Sequence, residues 1–187
     1  DVTEAIMQTL ANECYRASAL LAKEKGAAPV FQLRHFEHAP MFRKLDDDVQ
    51  ELIRAHGLRN SHLTSIAPTG TISLCADNIS SGIEPVFSHG YERTIQTFEG
   101  PKVEKVQDYA ARFLGTKGLT AMECTPEQHL AVQAVAQKWV DSSVSKTCNV
   151  GEDVSFGKFK EIYRLAYKWG CKGCTTFRPS GKRFGIL

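Results

Sequence analysis

Pro68-Thr69-Gly70-Thr71-Ile72-Ser73 puts three hydroxyl side chains and one glycine into a single short turn. Just upstream, His62 to Ala67 is short and β-prone, so a strand entering a turn and then a short helix fits the pattern. A strand-to-helix junction exposes backbone N–H groups that have no partner inside the helix, and the aligned peptide dipoles add partial positive charge. Gly70 would let a ligand approach the main chain closely. Thr69, Thr71 and Ser73 could add hydrogen bonds of their own. That chemistry suits a phosphate or diphosphate, since bonds to a charged group are worth roughly 1.5–3 kcal/mol each and a few would hold a nucleotide's phosphates. The ordinary alternative is a capped helix start, and residue chemistry alone leaves both standing. The turn is not a P-loop, because no G-x-x-x-x-G-K-[ST] run occurs in the chain.

A second polar turn, Ser80-Ser81-Gly82-Ile83-Glu84-Pro85, follows closely and could face the same pocket. Glu84 reads either as a ligand or acid/base group, or as a capping or salt-bridging carboxylate. His62, beside the loop, reads either as a pocket residue or as a packed core imidazole. Cys171-x-x-Cys174 invites a zinc or redox reading. Zinc needs four ligands and no second C-x-x-C follows. A redox pair usually opens a helix, where the dipole lowers a thiol pKa; this pair follows a helix and enters a strand. Two buried thiols is the plainer reading. No metal site is expected, and no Ser-His-Asp, paired-carboxylate or nucleophile-elbow pattern emerges.

The elements that must position these residues are readable in outline. Ile6, Leu10, Cys14, Ala17, Leu20 and Leu21 recur at spacings of three and four, which predicts a helix over residues 2–25 closed by Gly26. A second helix is predicted from Asp46 to His56, with acidic residues at its positive end and Gly57 after it. Residues 86–98 look extended. Pro101 to Leu114 reads as helical, with Val103, Val106, Tyr109, Ala110 and Phe113 on one stripe. Thr125-Pro126 reads as an N-cap and first-turn proline, opening a helix through His129, Val132, Val135 and Ala136 to about Val140. Ser145 to Val150 reads as a strand. Ser155 to Trp169 reads as a helix with Phe156, Phe159, Ile162, Tyr163 and Ala166 inward, capped by Gly170. Lys172 to Phe177 is a closing strand. Strand, helix, strand, helix, strand argues an α/β arrangement with partly parallel strands.

The chain has 187 residues, 42% hydrophobic and 24% charged, which is ordinary globular composition rather than that of a disordered chain. A formal net charge of +2 is too mild to argue for nucleic-acid or membrane binding. The short basic tail Arg178, Lys182, Arg183 reads as a solvated terminus, and neither a transmembrane run nor a signal-peptide pattern is present. Six cysteines in a chain of this kind suggest a reduced, cytoplasmic protein and not a disulfide framework. The first residue, Asp1, falls directly into a helical pattern, which suggests a chain cut from something longer.

The segment RNSHLTSIAPTGTISLCADNISSGIEPVF resembles the large, catalytic subunit of ribonucleotide reductases, and is most similar to the adenosylcobalamin-dependent class. QKWVDSSVSKTCNV, at Gln137 to Val150, and FKEIYRLAYKWGCKGCTTFRP, at Phe159 to Pro179, extend the resemblance in the same order. The opening helix and PVFQLRHFEHAPMF are also similar to that family. The resemblance spans nearly the whole chain and implies a single segment, residues 1–187, forming the C-terminal portion of a ten-stranded α/β barrel.

In that family the loop matching Pro68 to Ser73 binds substrate phosphates through backbone amides and hydroxyls. The resemblance therefore implies Pro68, Thr69, Gly70, Thr71, Ile72 and Ser73 as the phosphate-binding residues. His62, Ser80, Ser81, Gly82 and Glu84 are candidates to line the pocket. The implied reaction removes the ribose 2′-hydroxyl: a cysteine thiyl radical takes the 3′-hydrogen, an Asn and a Glu assist, and a cysteine pair supplies two electrons. In the cobalamin class the radical comes from the cobalt–carbon bond of adenosylcobalamin. The family's radical loop, N-x-C-x-E, has no counterpart here; Cys148-Asn149 has Glu152 four residues beyond the cysteine, the wrong spacing. No catalytic residue is expected in this segment, and alone it should be inactive. The implied partners are a ribonucleotide, the N-terminal half of the barrel and a thioredoxin-type reductant, with neither nucleic acid nor membrane. The alternatives are the same part of an iron-dependent class I enzyme, one half of a split reductase, or a stand-alone nucleotide-binding module.

Overall fold

The computed structural model describes residues 2–178; Pro179 and the tail residues Lys182 and Arg183 lie outside the described residues. The described chain divides into two compact units. One comprises the residues up to Ile66 with Ala134–Val144; the other comprises Ala67–Gln133 and the residues from Ser145 on.

The first unit is mainly helical. Helix α1 (Val2–Lys25) ends where Gly26 turns to φ 84° and its amide bonds Ala22 O at 2.8 Å. The short α2 (Leu33–Phe36) and a 3₁₀ turn (Phe42–Lys44) lead to α3 (Asp47–His56). The core gathers Tyr15 and Ala19 of α1, Phe42 and Leu45 before α3, Val49 and Ile53 within it, and Leu58 after it. The buried face of α1 carries Met7, Ala11, Asn12, Tyr15, Ser18, Ala19 and Ala22. The larger residues whose spacing predicts the helix point elsewhere: Ile6, Leu10, Leu20 and Leu21 are exposed. Close packing against α3 selects the small-residue face, on which helix backbones can approach. Within this unit Ile66 bridges Val144 in parallel. Asp141 helps tie the pair of segments together, accepting from Leu63 N at 2.8 Å and from the Tyr15 hydroxyl.

The second unit holds α4 (Gly70–Cys75), a hairpin of β1 (Gly90–Thr97) and β2 (Gly100–Gln107), a π-helical turn (Ala110–Leu114), and most of α5 (Pro126–Trp139). It ends in β3 (Thr147–Asn149), α6 (Phe156–Lys168) and β4 (Thr175–Phe177). β3 and β4 pair in parallel, Cys148 opposite Thr176, with α6 as the crossover. A parallel pair requires such a crossover, and its buried face closes the core. Leu130 of α5, Cys148, Val150, Ile162 and Ala166 form that core.

The structure corrects three expectations. The strand expected over His62–Ala67 is reduced to a single bridge at Ile66. The helix expected from Pro101 to Leu114 is absent over its first half: Gly100–Gln107 is β2, paired antiparallel with β1 from Thr97↔Gly100 to Gly90↔Gln107. The three-residue spacing of Val103, Val106 and Tyr109 imitates a helix, but Gly100, at φ 113°, turns the chain back and strand pairing overrides the stripe. In α6, Phe156 and Tyr163 are exposed rather than inward; Ile162 and Ala166 are the buried pair. Phe156, Phe159 and Tyr163 instead form an aromatic ladder along the helix, with neighbouring ring centroids 6.4 and 5.4 Å apart.

Candidate phosphate-binding site

The hydroxyl-rich turn opens α4 as expected. Thr69 is its N-cap and stands in the left-handed region at φ 50°, unusual for a β-branched residue. The first bond of the helix runs from Ser73 N to Thr69 O at 3.0 Å. The amides of Gly70, Thr71 and Ile72 precede it and have no partner within the helix. A Cβ added at Gly70 would meet nothing within 4 Å, so the protein's own packing leaves that space open.

The two polar turns are bonded to each other. Gly82 N donates to Thr69 Oγ1 at 2.6 Å, and Ser81 Oγ lies 3.2 Å from Ser73 Oγ. Ser73 Oγ also donates to Gly70 O at 2.7 Å. Thr69 and Ser73 thus spend hydroxyl valences inside the protein, whereas Thr71 and Ile72 are exposed. Ser80 lies in the same second turn, half-buried. His62 belongs to the other unit and is exposed, 3.2 Å from Ser61 Oγ, so it is not a packed core imidazole.

Glu84 is a salt-bridging carboxylate. It meets Lys146 Nζ at 2.5 Å and accepts from the amide of Thr147. Lys146 is buried, with only 1% of its side chain exposed. Its other donors go to His129 Nδ1 at 2.9 Å and Thr147 O at 3.1 Å. His129 in turn has Nε2 2.9 Å from the carbonyl of Ala121. That arrangement calls for a neutral ring with its proton on Nε2, donating to the carbonyl and accepting from the ammonium. Burial, followed by the Lys146 charge, pulls the His129 pKa down, outweighing the carbonyl bond and Glu84. Lys146 and His129 were not singled out as site residues from sequence. The available signals were a lysine inside a strand pattern and a histidine on an otherwise apolar helical stripe.

Cys148, Cys171 and Cys174 show no nucleophilic setting. Burial pushes the Cys148 thiol up to about 12, and burial also raises Cys171 and Cys174. Cys171 and Cys174 are half-buried free thiols packed against the β3–α6 core, less enclosed than expected. Elsewhere His89 pairs with Asp108 at 3.0 Å. Burial raises the Asp108 carboxyl, but the His89 bond and the amides of Ala111 and Ala110 outweigh it and hold the carboxyl below its ordinary range.

A parallel strand pair joined by a helical crossover, beside a hydroxyl-rich turn at the start of a short helix, places the chain among α/β proteins. The family model described as "Ribonucleotide reductase, barrel domain" matches residues 1–177. The chain belongs to that family. Among curated proteins it is similar to the vitamin B12-dependent ribonucleoside-diphosphate reductase of Thermoplasma acidophilum, 30% identical over 100% of this chain and 26% of that protein. It is also similar to the protein of the same name from Mycobacterium tuberculosis, 30% identical over 97% of this chain and 28% of that protein. The chain therefore spans about a quarter of the length of these relatives. Among solved structures, the Actinobacillus ureae class Id ribonucleotide reductase alpha subunit matches with a TM-score of 0.64 and 19% identity, covering 99% of this chain and 35% of that one. At that identity the match speaks for the fold alone.

Proposed function

We propose that this chain is the phosphate-gripping part of a vitamin B12-dependent ribonucleotide reductase, the whole protein converting ribonucleotides to 2′-deoxyribonucleotides by thiyl-radical chemistry. The observation that carries the proposal is the turn at Thr69–Ile72, with amides outside the helix ladder and open space over Gly70. A diphosphate seated there would accept from the Gly70, Thr71 and Ile72 amides and from the exposed Thr71 hydroxyl. Ser80, Ser81 and Gly82 would border it. Glu84 is committed to Lys146 and Thr147 and would act behind the pocket wall.

Adenosylcobalamin would supply the initiating radical to the intact enzyme. The cofactor reading rests on the relatives' names. The N-terminal half of the barrel, with the radical cysteine, and a thioredoxin-type reductant complete the proposed machinery. No helix among the described residues is long and apolar enough to cross a membrane; a cytoplasmic location follows from the proposed role in DNA synthesis.

The test uses the full-length protein with adenosylcobalamin, cytidine diphosphate and a dithiol, with deoxycytidine diphosphate measured by chromatography. Cobalamin-dependent product is expected, and none from the 187-residue chain alone. Turnover only with iron and a second subunit would replace the reading with the class I enzyme. Gly70→Ala tests the loop itself. Since the new Cβ meets no protein atom, folding should be unaffected while KM for cytidine diphosphate rises about tenfold, the scale of one lost charged hydrogen bond. An unchanged KM would remove the loop from the site.

A further inference from the structure

We infer that Lys146 is a positioning residue for the phosphate loop, acting through Glu84 and the turn at residues 81–84; the inference rests on the phosphate reading of that loop.

A buried ion pair is a poor way to gain stability, because desolvation offsets most of its attraction and apolar residues of similar volume often do as well. What such a pair does supply is direction. All three Lys146 protons are committed, to Glu84 Oε2, His129 Nδ1 and the Thr147 carbonyl. Both Glu84 oxygens are committed, one to Lys146 and one to the Thr147 amide at the start of β3. Glu84 is therefore pinned to the strand by two bonds of different direction.

From Glu84 the constraint passes along the main chain. Glu84 N donates to Ser81 O at 2.9 Å, closing the turn. That turn presents Gly82, at φ 54°, so that its amide reaches Thr69 Oγ1 at 2.6 Å, and it brings Ser81 to Ser73. Thr69 is the residue held in the left-handed region at the head of α4. Such a conformation is strained for a β-branched residue and persists only where the surroundings hold it. Gly82 N is the bond that engages its side chain. Lys146, Glu84, Gly82 and Thr69 thus form a continuous brace from β3 to the loop, all within one compact unit. Releasing Glu84 frees the turn, relaxes Thr69 and turns the Gly70–Ile72 amides away from a common focus.

The experiment measures kcat and KM for cytidine diphosphate in the full-length reductase carrying Lys146→Met, Glu84→Gln, or both. A positioning role predicts KM raised about tenfold in each, with kcat within about twofold, since the reacting centre is untouched. A merely structural role predicts lower kcat per total protein, from loss of folded enzyme, with KM unchanged; that result overturns the inference. Should Lys146→Met fail to fold, Glu84→Gln and the double variant decide the question by the same KM criterion. Gly70→Ala separates the two readings. If it raises KM and the brace variants do not, the loop binds phosphate without the brace. If it leaves KM unchanged, the phosphate reading itself has failed.

Discussion

The Lys146 side chain is buried, and three acceptors take its three protons. Removing it strands the Glu84 charge against the Thr147 amide alone. Lys146→Met is expected to lower the unfolding free energy by about 3–5 kcal/mol, the usual consequence of breaking one side of a buried pair, read as a lower urea midpoint. Adding Glu84→Gln should recover part of that loss, since no full charge then remains buried. His129 gives the site a pH dependence. Its pKa is lowered in the folded protein, so the unfolded chain binds the proton more tightly. Its contribution to stability is complete above the unfolded value of about 6.5 and is lost as pH falls through the folded value. The melting temperature should therefore drop as pH falls below about 6.5, and His129→Asn should flatten that part of the profile. An equal drop in the variant would assign the effect to other groups.

Helix ends account for the next level of organisation. Thr125 and Gln128 form a reciprocal cap on α5: Gln128 N donates to Thr125 Oγ1 at 3.3 Å, and Thr125 N donates to Gln128 Oε1 at 2.8 Å. Thr125→Ala should cost about 1 kcal/mol, measurable as a shifted denaturation midpoint, because α5 delivers His129 and Leu130 to the second core. Gly57 terminates α3 at φ 73°, and a Cβ there would lie 2.9 Å from Ala27 Cβ and 3.0 Å from Phe31 Cδ1. Gly57→Ala combines backbone strain with a clash against the first core. It should destabilise by more than the roughly 1 kcal/mol gained at permissive sites, whereas Gly70→Ala should not. Element-level reading was least successful for faces. Apolar period locates α1 and α6, but which stripe is buried depends on what packs against it, and both helices leave large apolar residues outside.

The whole described chain exposes Val2, Ile6 and Leu10 on α1, Phe156 and Tyr167 on α6, and Phe98 at the hairpin tip. Scattered exposed residues are normal, but a run along one helix face is a surface that normally has a cover. Its relatives are about four times longer. The chain expressed alone should accordingly bind an environment-sensitive hydrophobic dye, and adding the N-terminal part of the reductase should suppress that signal. A dye-silent, monomeric chain would instead favour the stand-alone module.

Residue order alone was enough to locate the helices with glycine stops, the turn at Pro68–Ser73 and a strand within Ser145–Val150, of which Thr147–Asn149 forms, because caps, glycines and hydroxyls act over a few residues. It also carried the family motifs, which the barrel-domain match bears out over residues 1–177. It could not separate a helix at 101–114 from a hairpin, since a three-residue apolar spacing serves either and only the partner strand decides. Nor could it join Glu84 to Lys146 and His129, separated by 62 and 17 residues from the lysine. Whether Glu84 was a ligand or a salt bridge depended on what faced it, and the facing lysine arrives only when β3 and the second turn are packed together.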